Sequence, residues 1–242
     1  MDSLLDRTKD ADLDKLVEEL ASRSHGNRRR SLRLRAWKAT VWFSYSAKRA
    51  IDILGSGIGM ILLSPVYLAI AAAVKFTSPG PVFFSQIRVG RYGRHFRFYK
   101  FRSMRQDAEA QKAALLSQNE SKDGVIFKMK DDPRITKVGK FLRRTSLDEL
   151  PQLWNVFIGD MSLVGPRPPV PKEVQEYTLE DRKRLDVIPG ITCLWQIQGR
   201  SEIPFHEQVR LDKEYILAPG FWKDVKILLK TIPAIIGGKG AY

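Results

Sequence analysis

Cysteine is almost absent. Cys193 is the only one in 242 residues, so no internal disulfide can form and the chain suits a reducing compartment. Histidine is nearly as scarce: His25, His95 and His206 are scattered, with no metal spacing and no cysteine partner, which excludes a zinc signature. Neither G-x-x-x-x-G-K-[ST] nor G-x-G-x-x-G occurs, so phosphate-cradling loops of those two kinds are excluded as well. No secretory signal is expected, because the first long apolar run begins late and no cleavage site follows it. No internal repeat is visible, and stretches with strand character are few. Acidic residues are missing from one region. Between residues 23 and 105, 17 Lys/Arg stand against a single acid, Asp52, whereas the rest of the chain nearly balances at 24 against 26. The formal charge of +14 therefore belongs to one block around an apolar segment. Such a block favours anionic lipid headgroups or nucleic acid.

The chain does contain enough apolar material for one sizeable domain and an appendage, with 43% hydrophobic and 10% aromatic residues. Residues 2–20 carry Leu4, Leu5, Leu13, Leu16, Val17 and Leu20 at helical spacing, opposite a charged face. Residues 22–35 read as a basic linker, followed by Trp37, Trp42, Phe43 and Tyr45, as interfacial aromatics often are. Residues 53–74 are uncharged for 22 positions. As a straight helix they would extend about 33 Å, enough to span a bilayer. Two features argue against a simple span. Pro65 lies near the middle, and proline removes a helical hydrogen bond and clashes with the preceding turn. Both flanks are also strongly basic, and a span would leave one of them on the wrong side of the membrane. A helix broken at Ser64-Pro65, each half about 16 Å long, would instead reach the midplane and return to the same face. Ser64 could then satisfy a carbonyl freed by the proline. A kinked single span remains the competing reading.

Downstream, Phe83–Val89 and His95–Phe101 have strand character and are joined through Gly90 and Gly93. Helices are expected over 106–118, 137–143, 145–157, 173–185, 207–217 and 221–236. A turn is expected at Asp131-Asp132-Pro133, a stiff extended segment over 166–171 and a strand over 192–197. The last helix sets Trp222, Val225, Leu228, Leu229 and Ile232 against Lys223, Lys226 and Lys230, which suits either core packing or the membrane interface. The resulting fold class is mainly α with a few short strands. Its three parts are an amphipathic helix and basic linker over 1–47, a membrane-embedded helix-break-helix over 48–76, and a catalytic domain with interfacial helices over 77–242.

The chemistry concentrates in 143–168, RRTSLDELPQLWNVFIGDMSLVGPRP. Asp148 and Glu149 are adjacent at a helix start. One reading is purely local: Ser146-x-x-Glu149 is a capping box, and acids in a first turn complement the helix dipole. The other reading is chemical. Positive potential at a helix start favours the ionised, reactive form of an Asp nucleophile, and two neighbouring carboxylates can divide attack and Mg²⁺ binding between them. Arg143, Arg144 and Arg167 are candidate phosphate clamps, since a guanidinium presents a planar fork of donors and stays charged. Pro166 and Pro168 restrict the backbone on either side of Arg167. Lys100, Arg102 and Arg105 form either a further cationic group or a solvated or lipid-facing strand end.

These residues resemble the bacterial sugar transferase family, small monotopic phosphoglycosyl transferases that load a polyprenyl phosphate. The resemblance covers residues 48–242. It rests on KRAIDILGSGIGMILLSPVYLAIA, SPGPVFFSQIRVGRYGRHFRFYKFRSM, DDPRITKVGKFLRRTSLDELPQLWNVFIGDMSLVGPRP and PGITCLWQIQGR, in that order. It implies transfer of a sugar 1-phosphate from a UDP-sugar to undecaprenyl phosphate, with release of UMP, at the cytoplasmic face of a bacterial inner membrane. By the same resemblance Asp148 attacks the β-phosphate to form a covalent phosphosugar, Glu149 assists with Mg²⁺, and Arg143 and Arg167 contact the nucleotide sugar. Pro166, Pro168, Lys100 and Arg102 complete the expected binding group, and Ser64-Pro65 breaks the re-entrant helix. The expected partners are both substrates and membrane lipids rather than nucleic acid, with self-association left open. Two departures stand out. Many relatives carry four spanning helices ahead of this region, which no apolar run in the preceding residues matches here, and Cys193 occupies a position where many have glycine. The competing reading is a membrane-anchored basic scaffold or binding protein without catalysis.

Overall fold

A computed structural model describes residues 28–115, 119–120, 129 and 131–237. The expected amphipathic helix at 2–20 lies outside them. The chain forms two units, Met1–Lys48 and Arg49–Tyr242. Helix α1 covers Arg28–Leu62, so residues 28–35 of the expected basic linker are helical: arginine and leucine are good helix formers and no Gly or Pro interrupts them.

In the second unit, the end of α1 is followed after Leu63 by α2, Ser64–Thr77, and the two axes are bent by 62°. The cause is the one the sequence suggests. Pro65 has no N–H for the Ile61 carbonyl four residues back, and the Ser64 hydroxyl donates to that carbonyl at 2.8 Å. Three contacts fasten this helix pair to the remainder of the unit. Arg49 donates through Nη1 to the Val156 carbonyl at 2.6 Å and through Nη2 to that of Phe157 at 2.8 Å. Asp52 Oδ1 accepts from the Ser162 hydroxyl at 3.1 Å and the Leu163 N–H at 2.9 Å. The Tyr67 hydroxyl donates to the Leu150 carbonyl at 2.5 Å. Around them Ile70 and Val74 of α2 pack with Phe101 and Leu142 in one apolar cluster.

Strands β1, Phe83–Val89, and β2, His95–Phe101, form the expected antiparallel hairpin, in register from Val89 opposite His95 to Phe83 opposite Phe101. Helix α3 covers Ala108–Leu115 and α4 covers Lys137–Arg144. The N-terminus of α4 is capped by Thr136, whose hydroxyl accepts from Gly139 N at 2.9 Å. The expected helix over 145–157 is divided: a 3₁₀ turn, Leu147–Glu149, precedes α5, Gln152–Ile158. The expected helix over 173–185 is likewise split into α6, Pro171–Gln175, α7, Leu179–Arg182, and a closing 3₁₀ turn. Strands β3, Ser162–Val164, and β4, Gly190–Thr192, pair in parallel, so the expected strand at 192–197 begins earlier and gives way to a 3₁₀ turn at Trp195–Ile197. Helices α8, Phe205–Leu217, and α9, Phe221–Gly237, complete the unit. The main core joins Val164, Cys193, Leu194, Trp195, Leu211, Tyr215 and Ile227.

Asn155 holds α5 against β2. It is fully buried, donates through Nδ2 to the Arg97 carbonyl at 2.7 Å, and accepts from the Tyr99 N–H at 3.2 Å. Asn155→Ala removes the side-chain partner of two part-buried backbone groups, which costs about 2–4 kcal/mol. The thermal midpoint should fall by roughly 5–15 °C, measured by differential scanning fluorimetry in detergent. An unchanged midpoint would show that β2 does not depend on this clamp.

Candidate active site

Two backbone features aim the acid pair. Ser146 adopts a left-handed conformation at φ 54°, unusual for a residue with a side chain. It reverses the chain after α4, so Asp148 and Glu149 turn inward. The expected capping box is therefore absent: Ser146 makes no side-chain cap, and its hydroxyl accepts from Arg200 Nη2 at 3.0 Å instead. Opposite, Gly165 and Gly190 bring two backbones together, with Gly190 N–H donating to the Pro166 carbonyl at 2.9 Å. A Cβ on Gly190 would collide with the Gly165 backbone. This contact holds the Pro166-Arg167-Pro168 segment beside β4, and Arg88 Nη1 donates to the Pro168 carbonyl at 3.1 Å.

The acids line a cavity of about 510 Å³. Asp148 is only 4% exposed. Lys100 Nζ lies 2.9 Å from Glu149 Oε1 and 3.8 Å from Asp148 Oδ2, and Arg167 Nη1 reaches the same Glu149 oxygen at 3.2 Å. Arg143, Arg88 and Arg200 add three more cations to the lining, with Arg143 Nε donating to the Ser103 hydroxyl at 3.0 Å.

Five of the expected site residues thus meet: Lys100, Arg143, Asp148, Glu149 and Arg167. Lys100 is turned toward the acids and is not a lipid-facing strand end. Arg102 lines the same cavity, but its Nη2 is committed to the end of α2, donating to the Ser78 carbonyl at 2.7 Å and the Ser78 hydroxyl at 2.9 Å. Pro168 lines the cavity, whereas Pro166 is buried behind it and Arg144 is exposed outside it. Cys193 belongs to the core, and burial pushes its thiol well above the ordinary range. Arg88 and Arg200 escaped sequence reasoning. Arg88 sits in a strand among many arginines, and Arg200 lies 54 residues from its Ser146 partner. Its nearest signal is the QGR at the end of PGITCLWQIQGR.

Burial and charge set the two acids apart. Burial pushes the Asp148 carboxyl above its ordinary value, with Lys100 the strongest opposing influence. Asp148 sits in a short 3₁₀ turn and not in the first turn of a longer helix, so its ionisation is opposed by burial and favoured first by Lys100. Burial also works against charge on Glu149, yet Lys100 and Arg167 hold that carboxyl at about 2. Burial and Arg167 draw Arg88 down to about 10, which leaves it protonated at neutral pH.

Among the described residues no group of three or more His, Cys, Asp or Glu side chains is assembled for a metal ion. Asp148 and Glu149 provide two carboxylates. Only Glu149 Oε1 and Asp148 Oδ2 are within reach of cations among the described residues, which leaves one oxygen of each carboxylate open. That donor set fits Mg²⁺, which binds through one or two carboxylates and completes its octahedron with water and substrate phosphates.

Comparison with known proteins places this site in context. Residues 43–238 match the family model described as "Bacterial sugar transferase". The chain is 50% identical over 204 residues to the galactosyl transferase CpsE of Streptococcus agalactiae, covering 83% of this chain and 45% of that protein. It is 39% identical over 199 residues to the exopolysaccharide production protein ExoY of Rhizobium meliloti, covering 81% and 88%. It is 43% identical over 203 residues to the UDP-glucose:undecaprenyl-phosphate glucose-1-phosphate transferase of Klebsiella pneumoniae, covering 81% and 41%. The chain thus spans less than half of two of these relatives and most of the third.

Proposed function

The chain belongs to the bacterial sugar transferase family, and from that premise we propose that it transfers a sugar 1-phosphate from a UDP-sugar to undecaprenyl phosphate, releasing UMP, as an initiating step of envelope glycan synthesis. The observation that carries this reading is a buried Asp148 facing a cavity rimmed by Lys100, Arg143, Arg167 and Arg200. A diphosphate needs such cations, and its transfer needs an in-line nucleophile.

In the first step an Asp148 carboxylate oxygen attacks the β-phosphorus of the donor. The bond from that phosphorus to the oxygen bridging to the α-phosphate breaks, and UMP departs with the electron pair. The sugar phosphate is left on Asp148 as an acyl phosphate. In the second step an oxygen of the lipid phosphate attacks the same phosphorus, and the Asp148 carboxylate leaves. Arg143 and Arg167 orient the donor phosphates, and Lys100 helps to keep Asp148 ionised. Mg²⁺ bound to Asp148 and Glu149 would supply further neutralisation of phosphate charge. Pairwise identity does not choose the sugar, because relatives of similar identity are named for galactose and for glucose.

The test is UMP release by purified protein with Mg²⁺ and undecaprenyl phosphate, across UDP-glucose, UDP-galactose and their N-acetylated counterparts. Release with one donor and ping-pong kinetics are expected. Folded protein that releases UMP from none of them would overturn the reading and favour the scaffold.

The site is proposed to work at the inner-membrane surface, with the bent helix pair re-entrant from the cytoplasmic side. Among the described residues no single helix is long and apolar enough to cross a membrane, whereas Trp42–Leu62 and Ser64–Thr77 qualify together as a bent pair. The pair exposes Leu54, Ile58, Ile61, Leu62 and Leu68, and a grouping of exposed apolar side chains of this kind marks a membrane or partner surface. Reporter tags at the N-terminus and after Tyr242 should both be cytoplasmic, and opposite sides would refute the hairpin.

A further inference from the structure

A second void lies directly behind the acid pair. It holds about 130 Å³ and is lined by Leu150, Leu153, Ile191, Ala234 and Ile235, with Thr231 on its α9 wall. Thr231 is already engaged, sharing a hydrogen bond with Thr192 at 2.8 Å and donating to the Ile227 carbonyl at 2.8 Å. The wall therefore offers little to a polar ligand. Yet this apolar slot meets the charged cavity, since Ser146, Glu149, Gln196 and Arg200 line both.

The junction is built from strained backbone. Ser146 and Arg200 are both left-handed, at φ 54° and 53°, and they hydrogen-bond each other. Non-glycine residues are held in that region only where the surroundings demand it, and such residues cluster at ligand sites. Arg200 Nη1 is buried and has no hydrogen-bond partner among the described residues. On its outer side α9 exposes Trp222, Leu229 and Ile232, an apolar face suited to the membrane interface.

A ligand that matches this arrangement carries a phosphate next to a branched hydrocarbon. A nucleotide sugar does not match, because its hydroxyls would lose their hydrogen bonds in the slot. Resting on the reaction proposed above, we infer that the slot between the Asp148 turn, β4 and α9 takes the first isoprene unit of the polyprenyl phosphate acceptor, with the phosphate of that lipid at the Arg200 end. After UMP has left the larger cavity, the acceptor enters from the α9 side, and its phosphate oxygen takes the in-line position opposite Asp148 that the UMP oxygen vacated.

Ala234→Phe fills the slot, and Ile232→Phe places the same side chain on the exposed face of the same helix. Without acceptor, each should release the same UMP burst as wild type, because donor chemistry does not use the slot. With undecaprenyl phosphate, Ala234→Phe should raise the acceptor KM at least tenfold and leave the donor KM unchanged, whereas Ile232→Phe should match wild type. An acceptor KM within twofold of wild type for Ala234→Phe, or an equal effect of both variants, overturns the proposal. Should Ala234→Phe not fold, Ala234→Leu is read by the same two parameters. Wild type without any UMP burst would sink the phosphotransfer reading instead. Binding of undecaprenyl phosphate measured by native mass spectrometry then decides the slot separately: weakened binding in Ala234→Phe or Ala234→Leu supports it, and unchanged binding removes it.

Discussion

Asp148→Asn should abolish UMP release with every UDP-sugar that wild type accepts, a loss on the order of 10⁴-fold or more, as expected when the nucleophile of a covalent mechanism is removed. The substitution keeps the shape of the side chain. It also leaves Lys100 and Arg167 paired with Glu149, so the cavity wall should survive and the variant should fold. Glu149 cannot take over the attack. One of its oxygens is bound by two cations at 2.9 and 3.2 Å, and its position is set by Arg167 and the stiff segment behind it. Asp148→Glu keeps the charge but advances the carboxylate by one methylene, and a displacement of that size costs about 10²-fold in a positioned reaction. Two measurements check this: the UMP burst without acceptor, and radiolabelled sugar phosphate retained on acid-quenched protein. Both should vanish in the Asn variant. If Asp148→Asn keeps more than a hundredth of the wild-type burst, another residue is the nucleophile.

What could be read in advance was local, and what could not was long-range or conformational. The hairpin of β1 and β2 was legible because apolar and aromatic residues fill two short runs separated by glycines, and both strands lie at the expected residues. The break at Pro65 was legible because a missing N–H has only one geometric consequence in a helix, including the carbonyl of Ile61 that Ser64 satisfies. The acid pair and Arg167 stood out for their neighbours in sequence. In contrast, the Ser146-x-x-Glu149 pattern matched a capping box in spacing, but the left-handed Ser146 removed the geometry that the motif needs. Arg200 meets Ser146 across 54 residues, and Arg49 meets the end of α5 across 107. No periodicity records such pairs. Asp52, the lone acid in the basic block, was the one visible hint of the second anchor, and its partner strand β3 lies 110 residues away.

Lys100→Met should lower kcat/KM by roughly 10²-fold on the acid limb and by much less once Asp148 is ionised in both proteins, because removing an opposite charge at this range raises a carboxyl pKa by about one to three units. The sign follows from the protonation state that reacts. Asp148 attacks as a carboxylate, burial already raises its pKa, and Lys100 is the largest influence holding it down. Without that cation the proton stays on Asp148 to higher pH, so the acid limb of the kcat/KM profile, which reports the free enzyme, moves to higher pH. Glu149 stays ionised through Arg167, so the second carboxylate does not share the defect. Lys100→Arg keeps a charge that does not titrate in this range, so it should restore the acid limb. A uniform fall in rate at every pH would instead mean that Lys100 serves only as a contact to substrate phosphate, with no part in keeping Asp148 ionised.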